Sequence, residues 1–449
     1  MIERIDPWVH GKRVLLLGFG REGQSTYQVL RQLGTCACID IADQKPSAKQ
    51  LAEESRWITG PGYQSRMDDY DVVFKSPGIV LERPIGEYRC TILSQAELFF
   101  TLFRDQIIGI TGTKGKSTTT SLLYHVLKSA GQDCVVMGNI GIPAFDHLEE
   151  IRPDTKIVFE LSCHQLEYMS VSPHIGVLIN IHEEHLDHYG TMERYVAAKH
   201  RIFQNQGPDD LLVCNVQCLP EAGSCPSRLV RVGTGCPDAD INVENRGEDG
   251  TWICHDGGAY RIPGEEIRLL GQHNYFDIAV VYAVCGLLGV SDGDFAQGLK
   301  TYEPLPHRLQ YLGQRDGVKY YDDSISTICA TTIQALRTLA DADTVLIGGM
   351  DRGIDYGELI RFLAGHGIPH IVLMEETGRR IYSEIERMSP EFPGKERLIL
   401  ADHLEDAVKV AMAVTRPGHS CVLSPAAASY GIFKNFEERG DAFREYVFG

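Results

Sequence analysis

Residues 107–118 read IIGITGTKGKST, an apolar run followed by a glycine-rich turn and Lys-Ser-Thr. A strand, a phosphate-binding loop and a helix need that order. Gly112 and Gly115 let the backbone turn so that its N–H groups converge on phosphate oxygens. Lys116 would sit on the β- and γ-phosphates, and the Ser117 hydroxyl would ligate Mg²⁺. A helix over 116–130 would aim its positive N-terminal end at the same anion. The loop, G-x-x-G-K-S, is shorter than the commonest nucleotide-binding version. Gly112, Thr113, Lys114, Gly115, Lys116, Ser117 and Thr118 are therefore candidates for binding ATP.

Three further segments carry chemistry-bearing residues. Glu160 ends the strand-like run KIVFE and opens ELSCHQLE (160–167), where an acid beside a phosphate loop can hold Mg²⁺. NIHEEHLDHYG (180–190) sets three histidines among acids just past another strand end. His182, His185 and His188 drift across helix faces and do not converge as a tetrahedral zinc site, whereas a mixed His/carboxylate set suits Mg²⁺. Gly18, Gly20 and Gly23 match G-x-G-x-x-G, with Asp43 about 20 residues on, which by itself points to a dinucleotide cofactor. Lys199, in the amphipathic run YVAAKHRIF (195–203), reads on its own as a solvated charge.

These residues must be held by α/β units. The first block alternates strand 13–20, a helix to about 33, strand 36–43, helix 48–55 and strand 71–75, closed by the turn Ser76-Pro77-Gly78. The second runs from the ATP loop through strands near 133–137, 156–160, 175–180 and 211–214. A polar segment, 215–265, follows as peripheral β structure, then a helix over 273–290. The third alternates strands 318–322, 344–348, 369–373, 397–400 and 420–423 with helices 329–340, 376–387, 404–415 and 432–446. The expected architecture is α/β in three domains: a Rossmann-like domain (1–105), a central P-loop ATPase-type domain (106–303) and a second Rossmann-like domain (304–449). Ligands are expected in clefts between them.

Composition narrows the partners. The 449 residues carry a net charge of −18, which disfavours nucleic acid and anionic membranes. The 13 cysteines form no C-x-x-C pair and read as free thiols of a reducing compartment. MIERIDPWVHGKR lacks the apolar core of a signal peptide, and the longest apolar run, 278–290, is too short to span a bilayer. A soluble, cytoplasmic monomer acting on small molecules is expected.

Taken together, the motifs resemble the Mur ligases. The matching strings are GTKGKST (112–118), GNIG (138–141), ELSCHQLE (160–167), EEHLDHYG (183–190), AAKHRIF (197–203), GQHN (271–274), LPHR (305–308), DDS (322–324) and SPAAASYGIFKNFEERG (424–440). The ATP loop and HxxLD also occur in folylpolyglutamate synthetases. SPAxAS with FKNFEERG is specific to the glutamate-adding Mur ligases. The resemblance implies that ATP phosphorylates the carboxylate of UDP-N-acetylmuramoyl-L-alanine, and that glutamate attacks the acyl phosphate. D-glutamate is favoured, with L-glutamate or a folylpolyglutamate synthetase-like reaction as alternatives.

It further implies that Lys116, Glu160, His185 and Lys199 are catalytic. Ser117 and Glu160 would hold one Mg²⁺, and His185 with a carbamylated Lys199 a second. ATP would also be met by Asn274, Asp277, His307, Arg308 and Asp323. Gly20, Arg21, Glu22, Asp43, Gln44, Ser76, Pro77 and Gly78 would hold the UDP moiety, replacing the dinucleotide reading. Asn139, Ser162 and Gln165 would lie at the acyl group, and Thr327, Arg352, Ser429 and Phe436 at the amino acid. Departures from the family pattern fall at Lys114 and Asp277, where Asn is usual, at Ile325 and Ile328 in place of Lys and Asn, and at Arg352 in place of Lys.

Overall fold

The structure, a computed structural model, describes residues 1–45, 52–264, 266–269, 271–388 and 392–449. Among the described residues the strands form three sheets. The first contains β1 (Arg13–Leu17), β2 (Cys38–Asp43), β3 (Trp57–Thr59), β4 (Val72–Lys75) and β5 (Thr91–Leu93). Its order is β3-β2-β1-β4-β5, all parallel. Val14 and Leu16 feed one hydrophobic core and Leu15 and Leu17 another, so β1 is covered on both faces. A near-continuous apolar run is what such a strand requires.

The second sheet contains β6 (Ile107–Thr111), β7 (Cys134–Gly138), β8 (Lys156–Glu160), β9 (Ile175–Leu178), β10 (Leu211–Asn215), β11 (Arg228–Thr234), β12 (Ile241–Asn245), β13 (Thr251–His255) and β14 (Gly258–Arg261). The order is β14-β13-β12-β11-β10-β9-β6-β8-β7, with only β13 and β14 antiparallel to their neighbours. The polar stretch after residue 215 is thus the edge of this sheet. β6 lies between β8 and β9 in register: Ile110 opposes Glu160, and Thr111 opposes Leu178. Three carboxyl ends therefore stand level, and the segments that leave them converge. Ligands bind at such strand ends in open α/β sheets.

The third sheet contains β15 (Gln310–Arg315), β16 (Val318–Asp322), β17 (Ala342–Gly348), β18 (His370–Met374), β19 (Leu398–Ala401) and β20 (Ser420–Leu423). Its order is β15-β16-β20-β17-β18-β19, parallel except for the edge strand β15. The chain divides into two compact units. One comprises 1–267 and 274–302, with the first two sheets; the other comprises 268–273 and 303–449, with the third.

Several elements differ from the sequence expectation. Of the helix expected over 48–55, residues 48–51 lie outside the described residues, and 52–55 are a turn, where the Trp57 indole donates to the Ala52 carbonyl (3.0 Å). The last helix runs Phe436–Phe448, starting later than expected because the Asn435 side chain caps it by accepting from the Glu438 N–H (2.9 Å). Helices Gln95–Phe103, Asp292–Thr301 and Gly357–Gly365 were not anticipated, nor were β3, β5 and β15. The apolar run at 278–290 falls largely within helix Gln272–Leu287, whose residues Ile278 to Val281 are buried. Among the described residues no helix is long and apolar enough to cross a membrane.

Candidate active site

The loop between β6 and helix Lys116–Ser129 is held from several sides. Gly115 begins the helix with φ +83°, and a Cβ there would lie 2.8 Å from Asp277 Oδ1, so both conformation and contact demand glycine. The Lys116 ammonium folds back to donate to the carbonyls of Gly112 (3.0 Å) and Thr113 (2.8 Å). Burial lowers its pKa, against the pull of Glu160 and Glu184. The Thr113 and Lys114 amides, expected to face phosphate, donate instead to Asn180 Oδ1 at 3.0 and 2.9 Å. The Lys114 side chain ion-pairs with Glu184 at 2.7 Å. Of the loop groups expected to face phosphate, that leaves Gly115, Lys116 and the first turn of the helix.

Glu160, 1% exposed at the end of β8, accepts from Asn139 Nδ2 at 2.7 Å through one carboxylate oxygen. Its other oxygen, Oε2, is buried without a hydrogen-bond partner among the described residues. An orphaned buried carboxylate oxygen is costly unless something positive meets it. With the Ser117 hydroxyl it is the donor type that Mg²⁺ takes.

Lys199 projects from helix Met192–His200, is 1% exposed, and donates to the Gly112 carbonyl at 2.7 Å. Burial, and then the neighbouring charge of Lys116, push its pKa down to about 7. Tyr195, one turn earlier, lies under its ammonium and hydrogen-bonds the Thr113 hydroxyl (2.9 Å). His185 precedes the short helix Leu186–Tyr189 with φ +58°, an uncommon backbone for a non-glycine residue. It packs edge-on to His164 (4.9 Å between centroids), and Glu184 Oε2 lies 3.8 Å from its Nε2.

The first sheet presents the residues expected at the UDP moiety. The Ser76 hydroxyl donates to the Gly18 carbonyl (3.3 Å), and a Cβ on Gly18 would lie 2.7 Å from Ser76 Oγ, so the turn 76–78 can seat only against glycine. Asp43 accepts from the Phe19 N–H (2.8 Å) and the Lys45 N–H (2.9 Å), fixing the loop rather than pointing away from it. Gln44 and Arg21 are exposed, and Gly20 caps helix Arg21–Leu33. Gln165 Nε2 donates to Glu22 at 2.7 Å, and Ser162 with Gln165 forms a capping box on helix Cys163–Leu166. Lys75, missed in the sequence, is buried and donates to the carbonyls of Ser76 and Pro77 at 3.2 and 3.1 Å; burial lowers its pKa to about 8.

The second unit gathers its own set. His307 Nδ1 donates to the Asp322 carboxylate at 2.7 Å, and Asp323 accepts from the Leu309 N–H (3.1 Å) and the Ser424 hydroxyl (2.7 Å). Burial raises the Asp323 pKa to about 7. Arg352 donates to the Thr327 carbonyl (2.8 Å), so these two candidates lie together. Ser429 is buried, Phe436 is half-buried with its ring 6.1 Å from that of His307, and the Phe436 carbonyl accepts from Ser324 (2.8 Å). Arg439, another residue the sequence did not single out, is fully buried and clamps the Ser324 and Ala427 carbonyls (2.7 and 3.1 Å).

A phosphate loop flanked by strand-end acid and buried lysine is the geometry of a nucleotide-dependent enzyme of the P-loop type. A model of the Mur ligase middle domain matches residues 110–285. The chain is 35% identical to UDP-N-acetylmuramoylalanine--D-glutamate ligase of Geobacillus kaustophilus, covering 96% of each chain. It is 32% identical to the protein of the same name from Pelotomaculum thermopropionicum, covering 97% of each. Among solved structures, UDP-N-acetylmuramate-alanine ligase MurC from Thermotoga maritima superposes with a TM-score of 0.61 at 18% identity, over 97% of this chain and 98% of that one. MurF ligase from Thermotoga maritima in complex with ADP superposes at 0.59 and 16% identity, over 98% and 96%. These two share the fold. The chain belongs to the Mur ligase family.

Proposed function

We propose that this protein is an ATP-dependent ligase that joins glutamate, D-glutamate by preference, to UDP-N-acetylmuramoyl-L-alanine in cytoplasmic peptidoglycan precursor synthesis. The observation that carries the chemistry is the unpartnered Glu160 Oε2, buried at the end of β8 with its charge felt by Lys116 of the loop, whose Gly112 carbonyl Lys199 meets. The near-full-length relatives, through their names, carry the choice of substrates.

In this reading the γ-phosphoryl group moves from ATP to the carboxylate of the alanyl residue, and ADP leaves. The glutamate amine then attacks the acyl carbon, and phosphate leaves as the amide forms. Lys116 and the N-terminal turn of its helix bear on the transferring charge, where preorganised cations supply most of the rate. Ser117 and Glu160 offer oxygens to Mg²⁺. His185 and Lys199 would complete a second cation position, and there the amine must change. A free amine is a poor Mg²⁺ ligand, whereas a carbamate on Lys199 brings two oxygens and a negative charge. Burial favours the neutral amine that carbon dioxide requires. Bound Mg²⁺ would neutralise the phosphoryl oxygens.

The first-sheet loop with Asp43 and the turn 76–78 would hold UDP. Asn139, Ser162 and Gln165 would orient the acyl end. His307, Arg308 and Asp323 would serve ATP, and Thr327, Arg352, Ser429 and Phe436 the amino acid.

L-glutamate is the second reading. Ile325 and Ile328 make one half-buried stretch of the acceptor region apolar where the family carries Lys and Asn. Arg352 offers a planar fork in place of a point charge. Product analysis with UDP-N-acetylmuramoyl-L-alanine, ATP and a panel of D- and L-amino acids decides. D-glutamate amide is expected. Strong preference for L-glutamate changes the acceptor and keeps the ligase, while amide formation with neutral or basic amino acids alone overturns the glutamate assignment.

A further inference from the structure

We propose that Asn180 is the positioning residue of the ATP loop, and that its carboxamide sets which backbone amides the nucleotide meets. The proposal rests on the ATP-dependent reading above. Asn180 follows β9, whose end stands level with that of β6. One side chain makes three bonds to two consecutive loop residues: Oδ1 accepts from the Thr113 and Lys114 N–H groups at 3.0 and 2.9 Å, and Nδ2 donates to the Lys114 carbonyl at 3.0 Å. The Asn180 backbone carbonyl accepts from Thr113 as well (3.0 Å).

Both loop amides are thereby turned toward Asn180 and away from any anion. A phosphate must then be met by Gly115, the first helical turn and Lys116. No shorter or longer side chain reproduces this pattern. Asp would keep the two acceptor bonds but set an oxygen against the Lys114 carbonyl, and Gln would carry its amide a methylene too far. Two residues on, the His182 N–H donates to the Thr113 hydroxyl (2.9 Å), which stitches the loop to the segment carrying His185. Asn180 is thus the start of the link between the ATP loop and the candidate metal-binding segment.

The test is steady-state kinetics on Asn180→Ala and Asn180→Asp, with each substrate varied in turn and ADP binding measured by calorimetry. Loss of the three side-chain bonds should raise the KM for ATP and weaken ADP binding by about tenfold or more, with a smaller change in Asn180→Asp. The KM values for the UDP-linked substrate and the amino acid should stay within about twofold, because their candidate sites do not use this loop. A general loss of folding would instead lower the active fraction for all substrates together. Unchanged ATP and ADP affinity in folded Asn180→Ala overturns the proposal. So does an equal shift in all three KM values, or failure of both variants to fold. If the wild-type protein itself does not bind ATP, the functional reading fails with it, and the two failures are told apart by that control.

Discussion

An exposed lysine is protonated at neutral pH, but Lys199 is enclosed by its own helix, Tyr195 and the loop carbonyl of Gly112, and its pKa falls to about 7. A neutral, buried amine next to an acid-lined loop can take up carbon dioxide. We therefore expect ¹³C-labelled bicarbonate to give a carbamate signal that Lys199→Ala lacks. That variant should lose activity by about 10²-fold or more, and acetate should restore part of it by supplying the missing carboxylate. Absence of both signal and rescue would remove the carbamate. Lys116 makes a simpler case. Lys116→Ala shortens the side chain beyond reach of the phosphoryl oxygens, and phosphate release should fall by about 10²–10³-fold with the melting temperature nearly unchanged. Near wild-type turnover would take the ATP site away from this loop. Lys116 and Glu160 could be proposed from the sequence because strand, glycine turn and Lys-Ser follow one another directly at 107–117, and because Glu160 ends its own strand-like run. Asn180, Lys75 and Arg439 were not, since a single polar residue carries no local signature of the distant backbone it will bind.

At the scale of elements, the helix Phe436–Phe448 packs so closely on β16 that Gly440 has no room for a side chain. A Cβ there would lie 2.1 Å from His307 Nδ1 and 2.4 Å from Asp322 Oδ2. Alanine would gain about 1 kcal/mol of helix propensity. It would also force the His307–Asp322 pair apart, and overpacking of this kind costs about 1–3 kcal/mol. Gly440→Ala should therefore lower the melting temperature of the second unit, and an unchanged value would show that the pair yields at no cost. The pair also confers a pH dependence. Burial lowers the His307 pKa, but the Asp322 carboxylate, with Asp441 and Glu437, outweighs it and holds the imidazole above its ordinary value. The stabilisation is therefore complete below the unfolded value of about 6.5 and is lost as pH rises through the raised folded value. In urea titrations the gap between wild type and His307→Gln should be wider at pH 6 than at pH 9. A gap independent of pH would mean that the pair is neutral. The elements that sequence patterning missed are short or glycine-flanked. β3 and β5 have three residues each, too few to show alternation, and helix Gly357–Gly365 is bounded by glycines that read as turns.

At the scale of the whole molecule, the chain carries two compact units with separate cores, and each should respond to its own ligands. Calorimetry should resolve two transitions, with Gly440→Ala shifting only that of the second unit. The UDP-linked substrate, whose candidate residues lie in the first unit, should raise the other transition. At a hundredfold excess over Kd the gain is about 2.7 kcal/mol. A single transition that moves with both perturbations would show that the units unfold as one.

Residue types and their spacing determined by themselves that this chain alternates strands and helices, that it carries a glycine-rich Lys-Ser loop between a strand and a helix, and that it resembles the Mur ligases. Those signals are local: hydrophobic period, glycine turns and short motifs lie within one element and its loop. Tertiary structure decided the rest. It set β6 between β8 and β9, brought Glu160 and Lys199 to the same loop and buried Lys199. It also turned the Thr113 and Lys114 amides to Asn180, away from the phosphate they were expected to meet. Strand order, burial and hydrogen-bond partners join residues dozens of positions apart, and it is the closing of the sheet that chooses among the partners each side chain could have taken.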